Sequence, residues 1–116
     1  MNKLNIYYCP NCKNVGIAYG KAQFECCGNK IEPLSIENCS STPTITEMDG
    51  EYLLEYVCPM TKDDFIAAVV AERYDRVELI RLFPEQTAEV RVSQVNGAKI
   101  YTVFCRQGKV WAELMK

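Results

Sequence analysis

The sequence predicts a mostly β protein in two parts, a small cysteine-rich module over residues 1–35 and an antiparallel β-sandwich over residues 36–116. Two observations carry this prediction. Composition changes near residue 35, from Cys, Asn, Gly and Lys to Val, Ile, Leu, Phe and Tyr, and a proline-containing stretch marks the change. Beyond it, short apolar runs alternate with turn signals, which is typical of a sandwich of short strands.

Four apolar runs in the second part are predicted strands, because β-branched and aromatic residues favour extended backbone. Three of them follow glycine-containing turns, at Asp49-Gly50, Asn96-Gly97 and Gln107-Gly108. The runs are EYLLEYV (51–57), AEVRVSQV (88–95), AKIYTVFCR (98–106) and KVWAEL (109–114).

One segment, DDFIAAVVAERYDRVELIRLF (63–83), fits two structures. Its Ala, Glu, Arg and Leu content is that of a long helix. It also fits two strands, 64–73 and 77–83, with a turn at Tyr74-Asp75-Arg76. The surrounding β pattern favours strands, and six or seven strands joined by turns predict an antiparallel sandwich.

The N-terminal segment YCPNCKNVGIAYGKAQFECCGNK carries four of the seven cysteines. Cys9 and Cys12 form a C-x-x-C turn, whose backbone N–H groups can hydrogen-bond thiolates that share one ion. Cys26 and Cys27 are adjacent. Since successive strand residues point to opposite faces, this pair needs irregular backbone to reach one ion, and Gly28 provides that freedom.

Four tetrahedral sulfurs select zinc, or the iron of a rubredoxin-like centre, with one ion per chain. So short a module buries little surface, and a structural zinc site supplies about 10–16 kcal/mol of apparent binding free energy. Disulfides and unligated thiols are the alternatives. A bridge between Cys26 and Cys27 would be strained, and unligated thiols prefer burial to a polar segment. We therefore predict metal ligation.

Composition argues against two classes of partner, nucleic acid and membrane, and bears on the cellular compartment. The formal net charge is −2 and no block of Lys and Arg occurs, which argues against a nucleic-acid partner. No apolar run approaches the roughly 18 residues of a membrane span, and the N-terminus lacks the apolar stretch of a secretory signal. We expect a cytoplasmic protein without a membrane partner, and in a reducing compartment paired cysteines are more often metal ligands than disulfides.

The order C-P-x-C and then C-C-G resembles desulforedoxin and the N-terminal domain of desulfoferrodoxin, in which adjacent cysteines share one ion. The resemblance implies that one iron is held in an FeS4 centre that passes single electrons. In this chain its ligands would be Cys9, Cys12, Cys26 and Cys27. One departure is that Lys13-Asn14 replaces the glycine common just after the second cysteine.

The second part resembles the immunoglobulin-like superoxide reductase domain of desulfoferrodoxin. The residues that carry the resemblance are STPTI (41–45), CPMTKDDFI (58–66) and FCRQGKVWAEL (104–114). Active members of that family bind iron through four histidines and one axial cysteine, which corresponds to Cys105. This chain contains no histidine. The histidine positions correspond to Ser41, Cys58, Asp64 and Gly108, and a lysine that attracts the anionic substrate corresponds to Ser40.

Serine and glycine cannot replace imidazole as iron ligands, so we expect the catalytic iron site to be lost and predict no catalytic residue. Three interpretations remain for the cysteines of the second part. With Asp64, the thiols of Cys39, Cys58 and Cys105 would suit a vestigial or replacement zinc site. Alternatively, Cys58 and Cys105 form a redox pair, or they are small core residues while Asp64 is a solvated turn residue.

Three functions therefore stay open. The first is a metal-binding electron-transfer protein with a degenerate superoxide reductase domain and a redox partner protein. The second is a metal-stapled dimerisation or partner-binding protein without redox activity. The third is a superoxide reductase family enzyme with unusual ligands. The resemblance also implies a homodimer, and exposed edge strands make self-association physically reasonable.

Overall fold

The computed structural model describes residues 3–20, 22–38, 42–74, 76–93 and 97–115. All the regular secondary structure in these ranges is β-strand, which confirms the predicted mostly β class. Within them, no helix has the length and apolar character that a membrane span requires. The chain divides into two compact units, Met1–Ser35 and Ile36–Lys116.

The first unit consists of two antiparallel hairpins. β1 (Leu4–Tyr8) pairs with β2 (Val15–Tyr19), and β3 (Phe24–Cys26) pairs with β4 (Asn29–Ile31). The described residues of this unit that are buried all come from β1 and from Cys9, which follows it. The second hairpin therefore contributes no fully buried side chain.

The second unit contains two sheets, with strand orders β10-β7-β6 and β5-β12-β11-β8-β9. All neighbouring strands are antiparallel except β5 and β12, which are parallel. The strands are β5 (Ile36–Asn38), β6 (Thr44–Met48), β7 (Glu51–Glu55), β8 (Asp64–Glu72), β9 (Val77–Arg81), β10 (Glu89–Val92), β11 (Lys99–Arg106) and β12 (Lys109–Met115).

The ambiguous segment 63–83 forms β8 and β9, so the strand interpretation is confirmed and the helix is wrong. β8 lies between β11 and β9, and its seven residues from Phe65 to Ala71 are all buried. A strand buried on both faces reads as a continuous apolar run, which periodicity alone does not separate from a buried helix. Here the segment is a strand because β8 is hydrogen-bonded to β11 on one side and to β9 on the other.

Two glycine turns close hairpins as predicted. Asp49 and Gly50 have φ angles of 50° and 83°, and Gln107 and Gly108 have 51° and 81°. Positive φ at both central residues defines the type I′ turn, whose twist matches that of paired strands. These turns connect β6 to β7 and β11 to β12.

The other two predicted turns are described only in part. Asn96 and Asp75 lie outside the described residues, while Gly97 has a φ of 76°. The strands on either side of Asp75 pair in register, with Glu72 opposite Val77.

Two edge strands, β5 and β6, were not predicted. The parallel pairing of β5 with β12 also departs from the predicted antiparallel sandwich. β6 has the sequence TITEM, and all five of its residues are exposed. Edge strands of this kind carry few apolar residues and so lack the alternation that reveals a half-buried strand.

Candidate metal centre

Each cysteine pair lies at the turn end of one hairpin of the first unit. Cys9 directly follows β1, and Cys12 lies in the turn that leads to β2. Two backbone hydrogen bonds close this turn: Cys9 donates to the Asn14 carbonyl at 2.9 Å, and Lys13 donates to the Cys9 carbonyl at 2.7 Å. The C-x-x-C loop is therefore shaped by the chain itself.

The adjacent pair reaches one site because its backbone leaves the strand between the two cysteines. Cys26 is the last residue of β3, whereas Cys27 and Gly28 have φ angles of 53° and 77°. The two positive angles make a tight turn and release Cys27 from the alternation of strand side chains. The irregular backbone that the sequence required begins at Cys27 itself and continues into Gly28.

The four sulfur atoms converge. The Sγ atoms of Cys9, Cys12, Cys26 and Cys27 all lie within 4.8 Å of one another. The Cys26 Sγ lies 3.0 Å from that of Cys12 and 3.9 Å from that of Cys27. Sulfurs bound tetrahedrally at about 2.3 Å from an ion lie about 3.8 Å apart. The cluster could therefore hold one metal ion.

Exposure differs across the cluster. Cys9 is only 1% exposed and Cys26 is half-buried, whereas Cys12 and Cys27 are exposed. An ion at this position would be covered by protein on the Cys9 side. On the opposite side, the exposed sulfurs of Cys12 and Cys27 could be contacted directly by another molecule.

The thiols of Cys9, Cys26 and Cys27 differ in pKa because their surroundings differ. The backbone N–H groups of Cys12 and Asn11 hydrogen-bond the Cys9 sulfur and lower the pKa of that thiol to about 7. The nearby Cys12 sulfur raises the pKa of Cys26 to about 12. Asn11 favours the Cys27 thiolate, but the Cys12 sulfur and desolvation outweigh it, so the pKa of Cys27 is raised. Neighbouring thiolates repel each other, and a bound cation relieves that repulsion.

An aromatic stack holds the second hairpin against the first. The Phe24 ring lies 5.3 Å from the Tyr7 ring at an interplanar angle of 10°. It fills the space above Gly16, where an added Cβ would lie 2.7 Å from the Phe24 Cδ1 atom. Because Phe24 precedes Cys26 by two residues in β3, this stack positions the second cysteine pair.

Two asparagines also contact the cysteine turns. The Asn14 side-chain amide donates to the Cys26 Sγ at 3.5 Å, and the Asn29 amide donates to the Cys27 carbonyl at 3.4 Å. The sequence marked Asn14 only as part of a departure from the family pattern and gave it no contact with a sulfur, and it marked neither Phe24 nor Gly16 as a site residue. A glycine inside the strand VGIAY was the one available signal, because such a glycine often marks close approach of another group.

Three of the four predicted site residues of the second unit are described, and two of these three are in contact. The Cys58 Sγ lies 4.0 Å from the Asp64 Oδ1 atom and 3.9 Å from the Asp64 carbonyl oxygen. Cys105 lies in β11 opposite Phe65, the residue after Asp64 in β8. All three described site residues are half-buried, and no described cysteine forms a disulfide with another described cysteine.

The Asp64 carboxylate already has a cationic neighbour. The Arg106 Nε atom donates to Asp64 Oδ1 at 3.2 Å, and the Arg106 guanidinium lies 5.8 Å from the centre of the Trp111 ring. Across the described ranges, the four-cysteine cluster is the single group of three or more ligand atoms close enough to share an ion. Gly108 lies in the turn between β11 and β12, and Cys39, Ser40 and Ser41 fall outside the described residues.

Comparison with known proteins gives a likeness of fold. No protein-family model and no curated protein matches the sequence. The structure is similar to the crystal structure of the superoxide reductase from Treponema pallidum, with a TM-score of 0.66 and 15% sequence identity. The match covers 96% of this chain and 97% of that chain. At this identity the likeness shows a shared β fold.

Proposed function

We propose that this chain binds one iron ion through Cys9, Cys12, Cys26 and Cys27 and passes single electrons to and from a partner protein. The convergence of the four sulfur atoms within 4.8 Å supports the proposal most strongly. Iron held by four thiolates supplies a one-electron couple. The resemblance to desulforedoxin points to the same chemistry.

The surroundings of the sulfurs suit electron transfer. Backbone N–H groups of the C-x-x-C turn stabilise negative charge on Cys9, and the two type I′-like positions at Cys27 and Gly28 fix the second pair. Exposure of Cys12 and Cys27 gives a partner a short path to the centre. A ligand set held by two hairpin turns needs little rearrangement when the charge changes.

We also propose that the second unit is a superoxide-reductase-like sandwich without the histidine-ligated iron of that family. The chain has no histidine, so no imidazole is available to any site. The contact between Arg106 and Asp64 supports the proposal further, since a guanidinium already neutralises the carboxylate. On this proposal the chain does not reduce superoxide at the second unit.

A structural role for the metal is the second candidate. Thiolate ligands suit zinc as well as iron, and the first unit has few buried apolar residues to hold it together without an ion. In that case the protein would act by self-association or partner binding. All five residues of the edge strand β6 are exposed, Ile45 and Met48 among them, and this apolar edge supports a homodimer.

Redox cycling of the reconstituted protein tests the proposal. Metal-free protein is loaded with ferrous iron without oxygen, oxidised, and then treated with dithionite while its visible spectrum is recorded. We expect a coloured ferric form that bleaches on reduction and returns on reoxidation. A protein that takes up zinc but forms no coloured, reducible iron form contradicts electron transfer and favours the structural role.

A further inference from the structure

We propose that Asn14 is a positioning residue that fixes Cys26 for metal binding and favours the more negative state of the bound centre. Two observations meet at this residue. Its carbonyl accepts the Cys9 N–H at 2.9 Å, and its side-chain amide donates to the Cys26 Sγ at 3.5 Å. One residue thus joins the turn of the first hairpin to a sulfur of the second.

The position of Asn14 in the chain makes this link possible. It lies between Cys12 and the start of β2, where the turn hydrogen bonds hold its backbone. The Cys26 Sγ that it reaches also lies 3.0 Å from the Cys12 Sγ and 3.9 Å from the Cys27 Sγ. The Asn14 amide therefore helps to hold the Cys26 side chain beside the other sulfurs.

The amide also acts on the charge of the centre. Four thiolates around a divalent ion carry a net charge of about −2, and around a ferric ion about −1. A hydrogen bond to a charged acceptor stabilises the more negative form more strongly. Hydrogen bonds to cluster sulfurs therefore raise the reduction potential of iron–sulfur centres. This part of the inference depends on the proposed iron function.

Asn29 provides a matched comparison within the same site. Its side-chain amide has the same chemistry, but it donates to the Cys27 carbonyl at 3.4 Å and not to a sulfur. Both asparagines are exposed and neither is a metal ligand. Removing the Asn29 amide should therefore disturb the turn without removing a donor to the centre.

The test compares Asn14→Leu and Asn29→Leu in the full-length chain. We expect Asn14→Leu to shift the ferric–ferrous equilibrium about tenfold towards ferric iron, which corresponds to about 59 mV for one electron. We also expect a roughly tenfold loss of zinc affinity in competition with a chelator. Asn29→Leu disturbs the turn but removes no donor to a sulfur, so it should shift the reduction potential much less than Asn14→Leu does. Asn14→Ser is a second variant with a small polar side chain. Its hydroxyl is too short to reach the sulfur, so it removes the donor without adding an apolar group.

A cobalt derivative separates this inference from the proposed function. Loss of the N–H donor raises the energy of the sulfur lone pairs, so the thiolate-to-cobalt charge-transfer band of Asn14→Leu should move to longer wavelength. This band and the zinc affinity report on Asn14 even if iron proves not to cycle. An unchanged band and affinity in both Asn14 variants overturns the inference, as does an equal shift in Asn29→Leu.

Discussion

The two units of this chain are stabilised by different interactions. In the second unit, β8 buries seven consecutive residues between two hydrogen-bonded neighbours, and Leu54 and Val92 of the other sheet are fully buried. In the first unit, the buried residues of the described chain come from one strand and Cys9. Apolar burial can hold the sandwich, whereas the second hairpin is held by one aromatic stack, a few hydrogen bonds and the sulfur cluster.

The units also differ in how they balance charge. The first gathers four sulfur ligands, whose mutual repulsion a metal ion would relieve. In the second, the one carboxylate among the predicted ligands pairs with Arg106. The comparison teaches that a metal should matter greatly for the first unit and little for the second.

The largest effect is expected from loss of one sulfur in the first unit. Cys9→Ser removes the buried ligand, so most of the metal's contribution, about 10–16 kcal/mol for structural zinc sites, should be lost. We expect the amide signals of the first unit to collapse in an NMR spectrum while those of the second unit persist. Cys105→Ser is the control. Equal damage to both units by Cys9→Ser would break the comparison.

Acid should release the metal from the first unit. The pKa of Cys26 is raised to about 12 and that of Cys27 is also raised, so both thiols are protonated at neutral pH without metal. An ion must displace these protons, and affinity should fall about tenfold per pH unit for each proton displaced. Chelator competition between about pH 6 and pH 8 measures the slope. A flat profile would show that the thiols are not the ligands.

Enlarging Gly16 should weaken metal binding without touching a ligand. In Gly16→Val the new side chain meets the Phe24 ring, and overpacking of this kind costs about 1–3 kcal/mol. Because the stack positions Cys26, we expect the cost to show as lower zinc affinity. Phe24→Ala provides the second arm of a double-mutant cycle. Strictly additive losses would contradict a direct contact between the two positions.

The smallest effect is expected in the second unit. Arg106→Ala removes the exposed partner of Asp64, and surface ion pairs contribute about 0–1 kcal/mol. We expect a change in unfolding free energy below about 1 kcal/mol and no additional metal per chain. Uptake of a second ion by this variant would mean that Arg106 blocks a working metal site in the second unit.

The sequence predicted those features that depend on local backbone chemistry. The turns at Asp49-Gly50 and Gln107-Gly108 follow from residues that accept positive φ, and the structure has both. Lys13, which departs from the glycine of the resembling family, has a φ of 64°. A glycine is favoured there because side chains are strained in that conformation. The spacing of the four cysteines likewise predicted that their sulfurs share one site, and the structure brings them within 4.8 Å of one another.

The features that the sequence did not predict depend on packing between separate segments. Phe24 and Gly16 meet across two hairpins, and no periodicity within either strand encodes that contact. Asn14 acts through a sulfur twelve residues away in the chain. β5 and β6 were missed because edge strands bury little, so their apolar pattern is weak.

The number of metal ions bound per chain is the decisive measurement. Protein prepared without oxygen and saturated with iron or zinc is analysed for bound metal per chain, alongside a Cys26→Ser/Cys27→Ser variant and a Cys58→Ser/Cys105→Ser variant. We expect one ion in the wild-type protein, one in the second variant and none in the first. Two ions in the wild-type protein, or an ion retained after loss of Cys26 and Cys27, would contradict this expectation.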